Sequence, residues 1–250
     1  MMRELDVIIL DITRMKDDRI GVSGVYKDPE LGYCSIRPVP PAGTLRVNFL
    51  RRGSGIVEPF TIMRFKFTGT VQNPPHVEDF VFEDKNPGNA VIVGKIEDSE
   101  KQRLMSSISK QFLNEIHGKN MVDNKYIYEG GEGRSLGCLK IYRVSKLYIE
   151  DKDGKSVARI GFKYKDVFLS LKVAERRLYE YIGGKVAEGA DLEMLRYGIE
   201  ERLREAHPVF MRLGLSRPFL FEDDPDKRKK CYLQILGIHT FPDYLLPVTY

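Results

Sequence analysis

Cysteine and histidine are scarce in this chain. Its three cysteines are Cys34, Cys138 and Cys231, and they form neither a CxxC pair nor a Cys/His group at metal-ligand spacing. An odd number of widely separated thiols does not build a disulfide framework or a zinc site. We therefore expect no metal and no cofactor.

Long apolar runs are missing as well. No stretch approaches the roughly 18 consecutive apolar residues that indicate a membrane-spanning helix. The N-terminal segment carries Glu4 and Asp6 before and inside its apolar run, which is unlike a secretory signal peptide. These features predict a cytoplasmic protein that does not enter a membrane.

A strong charge excess is also missing. Forty Lys and Arg residues against 36 Asp and Glu residues leave a formal net charge of +4. This surplus is too small to identify a nucleic-acid-binding protein by its bulk charge, so any basic surface must be local. A hydrophobic content of 42% and a charged content of 30% exclude collagen-like and disordered classes.

The motifs of common enzymes do not occur in the sequence. It has no GxxxxGKS/T phosphate loop, no GxSxG nucleophile elbow, no HExxH zinc motif and no set of kinase motifs. We predict no catalytic residue, and the sequence favours a binding protein over an enzyme.

Short strand-like segments, separated by turns, dominate the first part of the chain. Their spacing favours an antiparallel meander over βαβ units. The segment 61–72 alternates Met63, Phe65 and Phe67 with polar residues, which is typical of a strand with one buried face. The predicted strands are 5–10, 19–26, 33–39, 61–72 and 90–97.

A helix is predicted over 99–117, because apolar residues recur there at every fourth position. The irregular, glycine-rich segment 120–137 follows and marks a boundary between two halves of the chain. We expect a first small closed barrel with a C-terminal helix in 1–125 and a second barrel with a helical insertion in 126–250. In the second half, strands are predicted at 138–150, 156–164, 209–216 and 231–241, and helices at 171–182 and 191–206.

A local basic and aromatic segment extends from residue 37 to residue 67, where six cations stand against the single acid Glu58. Cations for phosphates and aromatic faces for bases are what single-strand binding requires. The alternative is a solvated arginine-rich loop beside ordinary core phenylalanines. The candidate phosphate contacts are Arg37, Arg51, Arg52, Arg64 and Lys66, and the candidate stacking platforms are Phe49 and Phe65.

Other cations stand beside turns or prolines. Arg14 and Lys16 lie between the first two strands, where they either bind a phosphate or pair with nearby aspartates in a polar turn. Arg37 directly precedes a proline inside an apolar strand, so its guanidinium group needs a partner within the protein or a ligand outside it. Arg217 repeats this Arg-Pro pattern, and His239 is either a structural strand residue or part of a pocket.

Four short motifs stand toward the two ends of the chain: ILDITRMKDDRIGVSGV, GYCSIRPVP, RLGLSRPF and QILGIHTFPDYL. They resemble the dual OB domain family of prokaryotic defence and conflict systems. The resemblance spans both ends of the chain and implies two consecutive OB-type barrels that bind nucleic acid or a nucleotide. It places weight on Arg14, Lys16, Arg37, Arg217, His239, Asp243 and Tyr244.

Together these observations predict an α+β, mainly β fold of two OB-like small β-barrels packed together with helical insertions. The leading function is a non-enzymatic module that binds single-stranded DNA or RNA, with a place in a prokaryotic defence system implied by the resemblance. The first alternative is a sensor or enzyme acting on a small nucleotide-like ligand in a pocket between the halves, where Arg217, His239, Asp243 and Tyr244 would lie. The second is a protein-interaction adaptor.

Overall fold

The computed structural model describes residues 3–152 and 155–245 of the 250-residue chain. Strands dominate these ranges, and each α-helix within them is too short or too polar to cross a membrane. The strands of the first half are β1 (Arg3–Arg14), β2 (Arg19–Asp28), β3 (Gly32–Val39), β4 (Leu45–Arg46), β5 (Arg51–Arg52), β6 (Gly55–Ile56), β7 (Thr61–Asn73), β8 (His76–Phe82) and β9 (Ala90–Lys95).

Five of these strands close into a barrel, which we call the first barrel. Their order is β1-β2-β3-β8-β7, and β7 pairs back to β1. The β3–β8 pair is parallel and the other neighbours are antiparallel. A closed five-stranded barrel with this order is OB-like.

The barrel closes because β1 is long and bent. Residues 3–8 pair with β7 and residues 7–14 pair with β2, so the two pairings overlap at Val7 and Ile8. A bulge between Ile9 and Asp11 then bends the part that pairs with β2. Gly24 on β2 permits this close approach, since a Cβ atom there would lie 1.9 Å from the carbonyl oxygen of Ile8.

Aromatic side chains fill the first barrel. Met63, Phe65 and Phe67 of β7 are fully buried, as the alternation of the sequence predicts. Phe49, on a short 3-10 helix (Val47–Leu50), packs against Phe65 with a ring-centroid distance of 6.3 Å. Burial of such rings is a large part of the hydrophobic stabilisation of a small barrel.

The C-terminal half of the chain forms another large sheet, which we call the second sheet. Its strands are β10 (Ser109–Lys110), β11 (Tyr126–Tyr128), β12 (Leu136–Ile141), β13 (Val144–Lys152), β14 (Lys155–Tyr164), β15 (Val167–Val173), β16 (Val209–Leu215) and β17 (Lys230–His239). Their order is β10-β12-β16-β17-β15-β14-β13, with β11 paired to β17, and the β15–β17 pair is parallel. Only Tyr142 and Arg143 separate β12 from β13 in sequence, although the two strands lie near opposite ends of this order.

The helices differ in part from the sequence prediction. The helix predicted over 99–117 is two helices, because Ser109 and Lys110 pair in parallel with β12 instead. The helix predicted over 171–182 starts later, because residues 171–173 belong to β15. It also continues through Gly183 and Gly184 to Ala187. The helices are α1 (Asp98–Ile108), α2 (Leu113–His117), α3 (Arg176–Ala187) and α4 (Leu192–Glu205).

A buried interface joins the first barrel to the second sheet. Its apolar part includes Leu10, Phe60, Met105 and Phe210. Its polar part includes Glu78 of β8, which accepts hydrogen bonds from the backbone N–H and the hydroxyl of Ser135. The predicted mainly β, α+β fold class with a closed OB-like barrel is thus confirmed, while the division into 1–125 and 126–250 stays a prediction.

Candidate functional site

A groove of about 850 Å³ lies on the second sheet. We call it the cation–aromatic groove. Residues of β14, β15 and β17 form its floor, and the loop 216–229, β11 and the hairpin between β1 and β2 contribute its sides. Its cations and aromatic residues are Lys16, Lys125, Arg159, Lys172, Arg217, Tyr126, Phe168, Phe219, Phe221 and Tyr232.

The aromatic side chains of the groove form a row. The ring centroids of Phe219 and Phe221 are 4.7 Å apart, Phe221 lies 5.6 Å from Tyr232, and Tyr232 lies 5.7 Å from Tyr126. Phe219 and Phe221 are 52% and 53% exposed. Half-exposed phenylalanines that pack edge to face present ring surface to a ligand while they hold each other in place.

Phe168 of β15 adds a further exposed ring on the sheet floor. It lies across Gly161 of β14, where a Cβ atom would come within 2.3 Å of the ring. The absence of a side chain at Gly161 therefore lets the ring lie close to the sheet.

The charges of the groove are of one sign. Five of its lining residues are lysine or arginine, and none of its described lining residues is Asp or Glu. Lys172 pairs in register with Arg159 and with Gln234, which places the two cations side by side on the sheet. A polyanion is the ligand class that such a surface attracts.

Two acidic residues of the adjacent loop, Asp224 and Asp226, have internal partners. Lys230 is held between Asp224 and Asp226, with Nζ–Oδ distances of 2.7 and 2.8 Å. The hydroxyl of Tyr128 donates to Asp226. The hydrogen bond from Lys230 holds the pKa of Asp224 below its usual value. These acids stabilise the loop that carries Phe219 and Phe221.

A second cavity, of about 260 Å³, lies between the first barrel and the second sheet. We call it the Arg37–Arg217 cavity after two of its lining residues. Asp79 of β8 accepts from Nη1 of Arg37 at 2.9 Å and lies 2.6 Å from Nη1 of Arg217. Arg37 is thereby paired inside the protein, and it also lines a cavity.

His76 supports the same cluster. Its Nε2 donates to the carbonyl oxygen of Ser216 at 3.1 Å, so Nδ1 is the acceptor for Arg37 at 3.3 Å. Burial and the charges of Arg37 and Arg217 lower the pKa of His76 to about 3. The imidazole is therefore neutral at neutral pH and orients Arg37.

The two cations of the first hairpin lie near these cavities. Lys16 lines the cation–aromatic groove, and Arg14 lines the Arg37–Arg217 cavity. The guanidinium group of Arg14 also stacks over Tyr179 at 3.3 Å from the ring centroid. Folding thus brings Arg14, Lys16, Arg37 and Arg217 to one region.

The remaining cations of segment 37–67 lie elsewhere. Arg64 donates to both carboxylate oxygens of Asp6 at 2.7 and 2.9 Å, and Lys66 pairs in register with Glu4. The acids of β1 therefore offset the basic excess that the segment shows in sequence. Arg51 and Arg52 belong to a separate two-stranded sheet.

The stacking platform predicted at Phe49 and Phe65 is wrong. Phe65 is fully buried and Phe49 is 3% exposed, because both rings fill the interior of the first barrel. Arg52 covers Phe49 at 4.3 Å from the ring centroid. These phenylalanines stabilise the fold and cannot stack on a base.

The histidine predicted to share a pocket with Arg217 lines a different cavity. His239 is buried and packs edge to face on Phe60, with a centroid distance of 5.0 Å. It lines a third cavity, of about 500 Å³, together with Asp243. The predicted grouping of His239 with Arg217 is therefore wrong, whereas His239 and Asp243 do line one cavity.

Tyr244 is also buried, and it is linked to the interior. Its hydroxyl donates to Glu175 at 2.6 Å. Burial raises the pKa of Glu175 to about 7. Asp243 pairs with Arg177. These C-terminal residues form ion pairs and hydrogen bonds that attach the segment after β17 to α3.

Three buried histidines predict a strong pH dependence of stability. Burial lowers the pKa of His76 and His239 to about 3 and that of His117 to about 4. Between about pH 4.5 and 6.5 the unfolded chain binds these protons and the folded chain does not. Glu175 acts in the opposite sense, and so does Asp11, whose pKa burial raises. We expect the free energy of unfolding to fall by about 1–3 kcal/mol per pH unit on acidification in this window.

Urea denaturation at several pH values measures this slope. The variant His117→Asn should reduce the slope by about 1 kcal/mol per pH unit, since one histidine titration is removed. A slope that is unchanged in the variant would contradict the assignment.

Comparison with known proteins gives no family for this chain. No family model and no curated protein matches it. Among solved structures, it is similar to a murine DNA-binding protein determined in complex with double-stranded DNA. The two share 9% identity over 94% of this chain and 99% of the other, with a TM-score of 0.32. This likeness is too distant to assign a function.

Proposed function

We propose that the protein binds single-stranded nucleic acid in the cation–aromatic groove. The observation that carries this proposal is the combination of five cations with a row of accessible rings, without an acid among the described lining residues. Single-strand binding uses these two components, since the cations follow the backbone and the rings stack on bases of any sequence.

The position of the groove on the sheet supports the same function. OB-type domains bind oligonucleotides on the face of their second and third strands, flanked by the loops that join strands 1 to 2 and 4 to 5. Counting the interrupted β12–β13 as one strand, β14 and β15 are the second and third strands, and the loop 216–229 joins the fourth to the fifth. Arg159, Phe168 and Lys172 lie on that face.

Single strands fit the groove better than duplexes. A duplex keeps its bases stacked inside, where Phe219 and Phe221 have no access to their faces. An unpaired strand can turn its bases toward the rings and its phosphates toward lysine and arginine. The first barrel lacks this combination, because Phe49 and Phe65 are buried and Arg64 is paired.

Fluorescence titration with an unpaired ten-nucleotide DNA, the equivalent RNA and a duplex tests the proposal. We expect both single strands to bind more tightly than the duplex. With about four phosphates neutralised, affinity should fall roughly 50-fold between about 50 and 200 mM salt.

Two variants locate the binding surface. Lys172→Gln should weaken binding and lower the salt slope by about 0.7. Arg51→Gln removes a cation of the first half that does not line the groove, and it serves as the matched control with unchanged affinity. Equal losses in both variants, or binding of the duplex alone, would overturn the proposal. Preferential binding of a mononucleotide would instead favour a small-ligand sensor.

A further inference from the structure

The Arg37–Arg217 cavity adjoins the cation–aromatic groove. Both are lined by Met15, Ser216, Arg217 and Gln234, so a ligand in one can extend into the other. The cavity measures about 260 Å³ against about 850 Å³ for the groove, which is under a third of its volume. A space of this size beside a strand-binding groove suits a terminal group of the strand.

The charge of the cavity favours an anion. Arg14, Arg37 and Arg217 line it, and none of its described lining residues is acidic. Asp79 lies behind the arginines with a side chain that is only 4% exposed. The lining is therefore cationic, and His76 behind it is neutral because its pKa is about 3.

The arginines retain donors for a ligand. Asp79 is contacted by Nη1 of Arg37 and by Nη1 of Arg217. Nε and Nη2 of each guanidinium group are not used in these contacts. Two oriented arginines with spare N–H groups match the oxygens of a phosphate, which guanidinium groups bind in bidentate geometry.

We infer that the Arg37–Arg217 cavity binds the terminal phosphomonoester of a strand held in the cation–aromatic groove. The inference rests on the proposed function. A phosphomonoester carries a charge of about −1.5 to −2 at neutral pH, whereas each internal phosphodiester carries one negative charge. The more highly charged group gains more from a cavity lined by arginines.

The test uses three oligonucleotides of one sequence, each with a fluorophore on an internal base so that both ends are free. One carries a 5′-phosphate, one a 3′-phosphate, and one has hydroxyl groups at both ends. We expect one of the phosphorylated strands to bind about tenfold more tightly than the hydroxyl strand. The end that gives the gain also fixes the polarity of the strand in the groove.

A matched pair of variants assigns the gain to the cavity. Arg217→Gln should reduce the ratio between phosphorylated and hydroxyl strands to within about twofold, and its side chain is 46% exposed, so the fold should tolerate the change. Lys172→Gln should weaken all three strands alike and keep the ratio. If the phosphorylated strands bind no better than the hydroxyl strand, the inference is overturned and the proposed function stands. If none of the three binds, both are overturned.

Discussion

Replacing both Phe219 and Phe221 by alanine should weaken the binding of a single-stranded oligonucleotide by about 30- to 1,000-fold. Stacking of a base on an aromatic side chain contributes about 1–3 kcal/mol. The two rings contact each other with a centroid distance of 4.7 Å, so their effects should not add fully. The dissociation constant, measured by fluorescence titration at fixed salt, checks this result.

The matched control for this double variant is Phe112→Ala. The ring of Phe112 is 43% exposed and lies at the start of α2, away from the groove. Its loss should leave the affinity unchanged. The free energy of unfolding of the double variant should remain close to that of the parent protein, because half-exposed rings contribute little to the core. Normal affinity in a folded double variant would remove stacking from the proposal.

The sequence predicts the local structure of this protein better than its binding surface. Alternation in 61–72 predicts β7 with its buried face, and the strand predicted at 156–164 is found as β14. The single strand predicted at 138–150 is instead two strands, β12 and β13. The helix over 99–117 is interrupted because Ser109 and Lys110 complete the edge of the second sheet. Apolar residues at every fourth position indicate a helix, but they carry no information about pairing with a distant strand.

The position of the groove depends on residues that are distant in sequence. Counting charge in the window 37–67 overlooks Glu4 and Asp6, which lie across the sheet from Lys66 and Arg64. In the second half, acids and bases nearly cancel in a charge count over the loop 216–229. The structure pairs Asp224 with Lys230, so this acid does not offset the cations of the groove. Phe219 and Phe221 stand two positions apart beside a segment rich in Pro, Asp and Lys. Aromatic residues in such a loop-like segment are the sequence signal that could have pointed to exposed rings.

The buried ion pair at the interface predicts the largest effect on stability. Arg212 of β16 donates through Nε to both carboxylate oxygens of Asp11, at 3.2 and 3.0 Å, and Ser23 donates to the same carboxylate at 2.8 Å. Asp11 and Arg212 are each 1% exposed. Asp11→Ala should lower the free energy of unfolding by about 3–5 kcal/mol, because it leaves the guanidinium group buried without its partner. Urea denaturation at pH 7 measures this loss.

Two further variants show whether the loss in Asp11→Ala comes from an unpaired buried charge. Asp6→Ala breaks the Arg64 pair on the surface and should cost no more than about 1 kcal/mol. Asp11→Leu combined with Arg212→Met replaces both charges by apolar groups, and it should recover most of the loss, since neither charge is then left unpaired. If Asp11→Ala costs no more than Asp6→Ala, the carboxylate does not hold the first barrel to the second sheet. If the double variant is as unstable as Asp11→Ala, the loss comes from packing around Asp11, because an unpaired charge is no longer present.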